Sequence, residues 1–184
     1  MAPFFINRCM SISFTDIFKT IDNDELAVGL SDMKAHLYIS DYDGDDSLIR
    51  GYIEAAQSFF EGPEGFGYVL MEKTYEIELD TLPSHIQIDL APLTSFRLTQ
   101  DGQIIEPVRS SLRKGSFTFQ PNNRPALITI TAGHADADDI PADIKQMIKL
   151  LVGDWYRSRE NTQEFNFRSM PIAFDAILNK YRRY

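Results

Sequence analysis

The sequence lacks the patterns expected of a disulfide-bonded, membrane-spanning or secreted protein. Its single cysteine, Cys9, excludes an internal disulfide framework and is expected to be a small, unreactive apolar residue. No apolar run approaches the ~20 residues that a membrane span requires. The apolar residues 3–6 are too few for the core of a signal peptide and follow no basic stretch. These absences predict a cytoplasmic protein without a membrane partner.

The sequence patterns of catalysis are also missing. His36, His85 and His134 lie in different predicted elements, and no H-x-x-x-H, H-x-E or C-x-x-C spacing occurs. There is no G-x-S-x-G nucleophile elbow, and the glycines of residues 62–67 fit no phosphate-binding pattern. We therefore predict no catalytic residue, no cofactor and no metal site. A small hydrolase whose acidic site cannot be recognised from the sequence is kept as a less favoured alternative.

An acidic run at residues 41–46 is similar in part to a calcium-binding loop. An EF-hand loop needs glycine at its sixth position and glutamate at its twelfth, where this chain has Asp46 and Tyr52. Acidic residues at the start of a helix are favoured by the helix dipole. The run is therefore predicted to cap a helix and to bind no calcium.

Charge is unevenly distributed along the chain, whose net charge is −9. Residues 145–184 hold eight Lys or Arg against four acids, a net charge of +4, which leaves −13 in residues 1–144. Phosphate contacts need a basic footprint, so the acidic part argues against wrapping nucleic acid. The basic part suggests a docking element for an acidic protein surface, or a solvated helix end whose Lys and Arg complement the helix dipole.

Apolar residues recur at helical spacing in two long segments. They predict a helix over residues 45–61 and a second over residues 141–160, which starts with proline and ends in an aromatic pair. The two helices are predicted to pack together, with Trp155 buried between them and Ala56 allowing a close approach. The expected buried stripe of the first helix is Leu48, Ile49, Tyr52, Ile53, Ala56, Phe59 and Phe60.

Two shorter helices are predicted at either side of these. One covers residues 31–37, with Ser31 as its N-cap. The other is a C-terminal helix over about residues 172–182.

The middle of the chain is predicted to be β-sheet. Apolar and polar residues alternate over residues 69–79, as in a half-buried strand, and Asp101-Gly102 is a hairpin turn signal. Further short strands are predicted at 85–90, 95–99, 104–106, 116–120 and 126–132.

Together these elements predict an α+β fold. A small helical bundle carries an inserted antiparallel β subdomain over about residues 69–132, within one domain spanning residues 29–184. Residues 1–28 are predicted to be an arm of uncertain order, with at most one helical turn at residues 15–20.

These segments, taken in order, resemble the head–tail connector (adaptor) proteins of long-tailed bacteriophages, prophages and gene-transfer particles. The most specific match lies in the second long helix, where Trp155-Tyr156 is followed by Arg159-Glu160. Tyr75 stands where tryptophan is more usual, and residues 62–65 replace a short polar turn. Other matching segments are 30–37, 45–56, 74–79, 88–93, 139–152 and 171–182.

The resemblance implies a structural subunit without enzymatic activity. Members of the family assemble as a ring under the portal of a filled capsid and prolong the DNA channel toward the tail. The expected partners are copies of the same chain, the portal protein, and a stopper or tail protein, while DNA passes without specific binding. The expected location is the head–tail interface of the virion, after assembly in the host cytoplasm. A tail or baseplate accessory protein is the alternative role.

Two sets of residues are predicted to contact partners. The C-terminal residues combine an apolar stripe with clustered positive charge, as does an amphipathic helix that docks into a groove. Here the alternative is a helix folded permanently onto its own core. The predicted portal-docking residues are Ile177, Leu178, Lys180, Tyr181, Arg182, Arg183 and Tyr184. Candidates for the ring contact are Arg157, Arg159 and Glu160.

Overall fold

In the residues that it describes, a computed structural model of the chain has three full helices and two β-sheets. It describes residues 9–12, 19–22, 25–40, 44–61, 67–158 and 180–181. The helices share one apolar core and the two sheets enclose a second, so the molecule has a helical layer and a β-sandwich. The predicted α+β fold is confirmed.

The helical layer consists of α1 (Leu30–Leu37), α2 (Asp46–Glu61) and α3 (Ala142–Ser158). Apolar residues three and four positions apart line one face of each long helix, which is why those faces are buried. In α2 they include Ile49, Ile53 and Ala56, and in α3 Ile144, Met147, Ile148, Leu151 and Val152. The rings of Tyr52 and Trp155 meet edge to face across the two helices, with centroids 6.1 Å apart.

The predicted packing of the two long helices is therefore confirmed, although Trp155, predicted to be buried between them, is only partly buried. Two other predictions about the helices are wrong. Leu48 is 37% exposed, because it lies about 100° around the helix from the buried Ile49. Ser31 lies inside α1 rather than capping it. The N-cap is Gly29, whose extended backbone precedes the first turn without a side-chain hydrogen bond.

The sandwich pairs a four-stranded sheet, in the order β1-β4-β8-β7, with a five-stranded sheet, in the order β2-β3-β9-β5-β6. In chain order the strands are β1 (Cys9–Ile12), β2 (Lys19–Asp22), β3 (Lys73–Leu79), β4 (His85–Ile88), β5 (Leu93–Gln100), β6 (Gln103–Ile104), β7 (Arg109–Ser111), β8 (Ser116–Thr118) and β9 (Ala126–Ala132). Every second residue of β9 is buried, as in a strand with one face on a core.

Strand pairing within the predicted β subdomain is antiparallel, as expected. Asp101 and Gly102 join β5 to β6 with positive φ angles of 50° and 77°, the conformation of a tight hairpin turn. β7 was not predicted, because Arg-Ser-Ser at 109–111 shows no apolar alternation.

Residues before position 28 contribute one of the two outer strands of each sheet. β1 pairs in parallel with β4, and β2 pairs antiparallel with β3. The predicted helical turn at residues 15–20 is wrong at Lys19 and Thr20, which lie in β2, while residues 15–18 lie outside the described residues. Distant strands order β1 and β2, so no local pattern in the sequence could reveal them.

Residues 69–72 connect the two layers instead of extending β3, which begins only at Lys73. Val69 is buried in the sandwich core, whereas Leu70 and Met71 are buried in the helical core. The strand predicted over residues 69–79 therefore begins too early. Residues 69–71 are buried in one core or the other instead of alternating between a core and solvent.

An acidic side chain stabilises the same connection. Glu61, the last residue of α2, accepts a hydrogen bond from the Leu70 N–H at 2.8 Å. Its other carboxylate oxygen lies 2.8 Å from the ammonium of Lys73, the first residue of β3. Glu61 is 7% exposed, so this contact fixes the end of a helix to the start of a sheet inside the protein.

Candidate functional site

The described C-terminal residues lie against the start of α3. Asp143, in the first turn of α3, accepts a hydrogen bond from Lys180 Nζ at 2.8 Å. The Tyr181 hydroxyl donates to the same carboxylate, at 2.7 Å from Oδ1 and 3.0 Å from Oδ2. Lys180 Nζ also lies 4.9 Å from the centre of the Tyr181 ring. One carboxylate thus holds two adjacent residues from the far end of the chain.

Tyr181 extends this contact to the junction between the helices and the sheets. Its ring meets the Tyr68 ring edge to face, with centroids 5.3 Å apart and planes at 72°. The Tyr68 hydroxyl and His134 Nε2 form a hydrogen bond of 3.0 Å, whose direction depends on the histidine tautomer. We call the set formed by Asp143, Lys180, Tyr181, Tyr68 and His134 the C-terminal clamp.

A glycine fixes the position of His134 in the clamp. Gly133 follows β9 with a φ of 104°, and a Cβ there would lie 2.3 Å from the Met71 carbonyl oxygen. Only glycine fits such a close backbone approach. The His134 N–H then donates to the Leu70 carbonyl at 3.0 Å, which holds the imidazole beside Tyr68.

The polar half of the clamp is ionised at neutral pH. Burial alone would raise the pKa of Asp143, but hydrogen bonds from Lys180 and Tyr181, with the Lys180 charge, lower that pKa overall. The hydrogen bond to Asp143, followed by the contact with Tyr181, raises the pKa of Lys180 above its usual value. Both groups therefore keep their charges over the physiological range.

The aromatic half of the clamp is uncharged. Burial, reinforced by Tyr181 and Asp143, raises the pKa of Tyr68 to about 12. Burial is also the main cause that raises the pKa of Tyr181 and lowers the pKa of His134. Two neutral phenols and a largely neutral imidazole therefore pack behind one exposed ion pair.

This arrangement suits reversible attachment. The Lys180 side chain is 64% exposed and that of Asp143 28%, so water competes for both partners of the ion pair. Ion pairs of this kind stabilise a fold only weakly. In the part of the chain that the structure describes, no cluster of His, Cys, Asp or Glu could hold a metal ion.

The structure places some of the residues predicted to contact partners. Lys180 and Tyr181 belong to the clamp, and Arg157 is exposed in the last turn of α3. The other predicted contact residues lie outside the described residues: Ile177, Leu178, Arg182, Arg183, Tyr184, Arg159 and Glu160.

The acidic run before α2 is described in part. Asp45 accepts a hydrogen bond of 2.6 Å from the Tyr156 hydroxyl of α3, and Asp46 pairs with the buried Lys34 of α1. Asp41 and Asp43 lie outside the described residues, so the absence of calcium binding stays a prediction. The described acids connect α2 to its two neighbouring helices.

Three clamp residues were missed by the sequence analysis. Asp143 was visible only as an acid in the first turn of a helix, which indicates a favourable dipole interaction rather than a partner. Tyr68 and His134 are 66 residues apart, and no spacing rule links them. Their proximity depends on the junction between the two layers.

The fold and the clamp define a class of protein. It is a mixed α+β module in which residues 180 and 181 rest on the start of α3 through an exposed polar contact. No described helix is long and apolar enough to cross a membrane.

The family is assigned from a match that covers most of the chain. The model of the phage gp6-like head-tail connector protein family matches residues 28–182, and the chain belongs to this family. It is therefore a structural connector protein and not an enzyme, as predicted. A search of the curated proteins gives no match.

Two solved structures show the same fold. A chain in the neck of an empty GTA particle, computed with C6 symmetry, superposes with a TM-score of 0.70 at 16% identity, covering 91% of this chain and 96% of that one. A chain in the virion of a native gene transfer agent (GTA) particle gives a TM-score of 0.64 at 19% identity, covering 86% and 90%. The shared fold therefore includes both layers.

Proposed function

We propose that this protein is a subunit of a ring at the neck of a phage-like particle. It binds the portal protein on one side and a stopper or tail protein on the other. The observation that carries the proposal is the family match, which extends from residue 28 to residue 182. The similar chain in a neck computed with C6 symmetry supports a rotationally repeated arrangement.

The proposed place of the protein is the head–tail interface of the virion, after assembly in the host cytoplasm. Two matched folds come from a neck and a virion, which supports this location. The net charge of −9 suits a channel wall along which DNA slides without specific binding.

The proposed portal contact is the C-terminal segment. Lys180 and Tyr181 share one acidic partner, Asp143, through an exposed contact. An acidic groove on the portal would offer the same chemistry, so docking exchanges an internal carboxylate for an external one. The remaining docking residues are Ile177, Leu178, Arg182, Arg183 and Tyr184. Arg157, Arg159 and Glu160, at the end of α3 and beyond it, are proposed to contact the next subunit.

Binding to the cognate portal protein tests the function itself. We expect the full chain to bind, and the Arg182→Glu/Arg183→Glu variant to bind more weakly, with a smaller dependence on salt. Arg97→Glu, on the outer face of β5, is the control for an added negative charge and should bind normally. Absence of binding by the full chain would reject the portal as partner, while equal binding by the double variant would reject the docking segment.

The clamp also predicts how a substitution at Asp143 should change binding to the portal protein. Asp143→Asn removes the charge that holds Lys180, so more of the protein has its C-terminal segment released before it meets the portal. Apparent affinity rises with the fraction of the competent state, and we expect binding to tighten several-fold. Asp154→Asn, an exposed acid further along α3 and away from the clamp, is the matched control. Weaker binding by Asp143→Asn alone would mean that the clamp stays closed in the complex.

A further inference from the structure

Both sheets of the sandwich end on the same two sides. β1 and β2, which are consecutive strands of the chain, are the outer strands on one side. β6 and β7 are the outer strands on the other side, joined by residues 105–108. We call residues 9–12 with 19–22 the first edge, and residues 103–114 the second edge. Among the described residues, no further strand pairs with the outer side of either edge.

The second edge is apolar and basic. Ile104 is 58% exposed, Val108 63% and Leu112 41%, which makes them half of the six exposed large hydrophobic residues of the described chain. Three basic residues and a single acid, Glu106, accompany them. The basic residues are Arg109, Arg113 and Lys114, all exposed. An apolar patch rimmed by positive charge is typical of a surface that contacts another protein.

The surface beside the first edge has the opposite charge. Residues 76–89, which include the end of β3 and all of β4, contain four acids and no Lys or Arg. Glu78, Asp80 and Asp89 are exposed. Ser11 of β1 donates a hydrogen bond of 2.7 Å to Asp89, which places that carboxylate directly beside the first edge.

Strand direction also matches between the two edges. β1 is parallel to β4, β4 is antiparallel to β8, and β8 is antiparallel to β7, so β1 and β7 run the same way. Cys9 and Arg109 stand at opposite ends of one row across the sheet, through His85 and Thr118. A second copy placed beside the first in the same orientation would continue this row.

We propose that the second edge of one copy contacts the first edge of the next copy. The basic residues of one subunit then face the acids at residues 76–89 of its neighbour, and the exposed apolar residues are covered. Because the two edges differ, the contact is heterologous and repeats until rotation closes it. The closure into a ring rests on the proposed function, while the contact between copies does not.

Cross-linking of concentrated protein tests the contact directly. The native Cys9 was expected to be an unreactive apolar residue but is exposed on the first edge, and Ser110→Cys adds an exposed thiol to the second. With a short bis-maleimide we expect a ladder of trimers and larger species from Ser110→Cys. The single-cysteine wild type and the Cys9→Ser/Ser110→Cys variant can form dimers at most. A ladder supports the proposal, whereas only dimers or monomers from the two-cysteine protein would reject it.

Charge reversal gives an independent test that separates binding from folding. Arg109→Glu should weaken the ladder, as should Asp80→Lys, because Arg109 lies in the His85 row and Asp80 lies in the connection that leads into His85. Combining the two substitutions should restore it, because the opposite charges face each other again. All variants should melt as the parent does, since these residues are exposed. Failure of the combined variant to recover, with its fold intact, would contradict the proposed pairing.

Cross-linking and portal binding test the two proposals separately. Loss of the ladder with normal portal binding would reject the edge contact alone. A ladder with no portal binding would reject the portal contact and leave the contact between copies standing.

Discussion

The helical layer and the β-sandwich end in different ways. Side chains connect the helical layer to its surroundings, through Glu61 to the start of β3 and through Asp143 to the C-terminal residues. In the sandwich, by contrast, each edge strand presents backbone N–H and C=O groups on its outer side, and no described strand pairs with them. These edge strands are β1, β2, β6 and β7. The comparison suggests that the helical layer holds flanking segments in place, while the sandwich can be extended by another copy.

Core substitutions should have the largest effects and test whether the two layers unfold as one. Ile148 in the helical core and Ile128 in the sandwich core are both fully buried. Each change to alanine should lower the free energy of unfolding by about 2–5 kcal/mol. Trp155, the single tryptophan, reports on the helical layer by fluorescence, while circular dichroism reports on both layers.

If the layers are coupled, both signals should shift together in either variant. Leu150→Ala is the control, because Leu150 is 51% exposed on α3 and should change stability little. An Ile128→Ala protein whose tryptophan signal melts at the original temperature would show that the layers unfold separately.

A moderate effect is expected at the connection between the layers. Glu61→Ala leaves the buried Leu70 N–H without its acceptor and Lys73 without its carboxylate. A buried donor that loses its partner costs about 1–3 kcal/mol. Glu54→Ala, exposed on the same helix, is the matched control. Denaturant melts measure the difference, and equal midpoints for the two variants would show that the connection does not depend on Glu61.

The smallest expected effect is a pH dependence at His134. Burial lowers the pKa of His134 below its ordinary value of 6.5, so the unfolded chain binds a proton more readily than the folded one. Stability should therefore fall as the pH decreases below about 6.5 and level off below the pKa of the folded state. His134→Gln should lose this part of the acid sensitivity, and His85→Gln should retain it. Thermal melts between pH 7.5 and pH 5 would decide, and an unchanged slope in His134→Gln would contradict the assignment.

The sequence was most informative where structure is local. The long helices appeared within one to two residues of their predicted ends, because their buried faces repeat at helical spacing. The hairpin turn at Asp101-Gly102 was equally visible, since few residues tolerate its backbone angles. β1 and β2 were not visible, because their order comes from pairing with distant strands.

The C-terminal clamp likewise contains residues that the sequence pattern predicted and residues that it did not. Lys180 and Tyr181 were selected from the charge and apolar pattern of the C-terminal residues. Their partner Asp143 lies 38 residues before Tyr181 and has no pattern of its own. An isolated acid becomes a partner only through the fold, so the sequence predicted one half of the clamp and not the other.

The pairing of β1 has a consequence for synthesis on the ribosome. Ser11 and its partner Asp89 are 78 residues apart, so at ~5–20 residues per second the first strand waits roughly 4–16 s for β4. β2 likewise waits for β3. A nascent chain therefore carries unmatched strands until nearly half of its 184 residues have been translated. Chaperones that shield extended segments early in translation would favour correct folding, and only a chain translated past β4 can present an intact first edge to another copy.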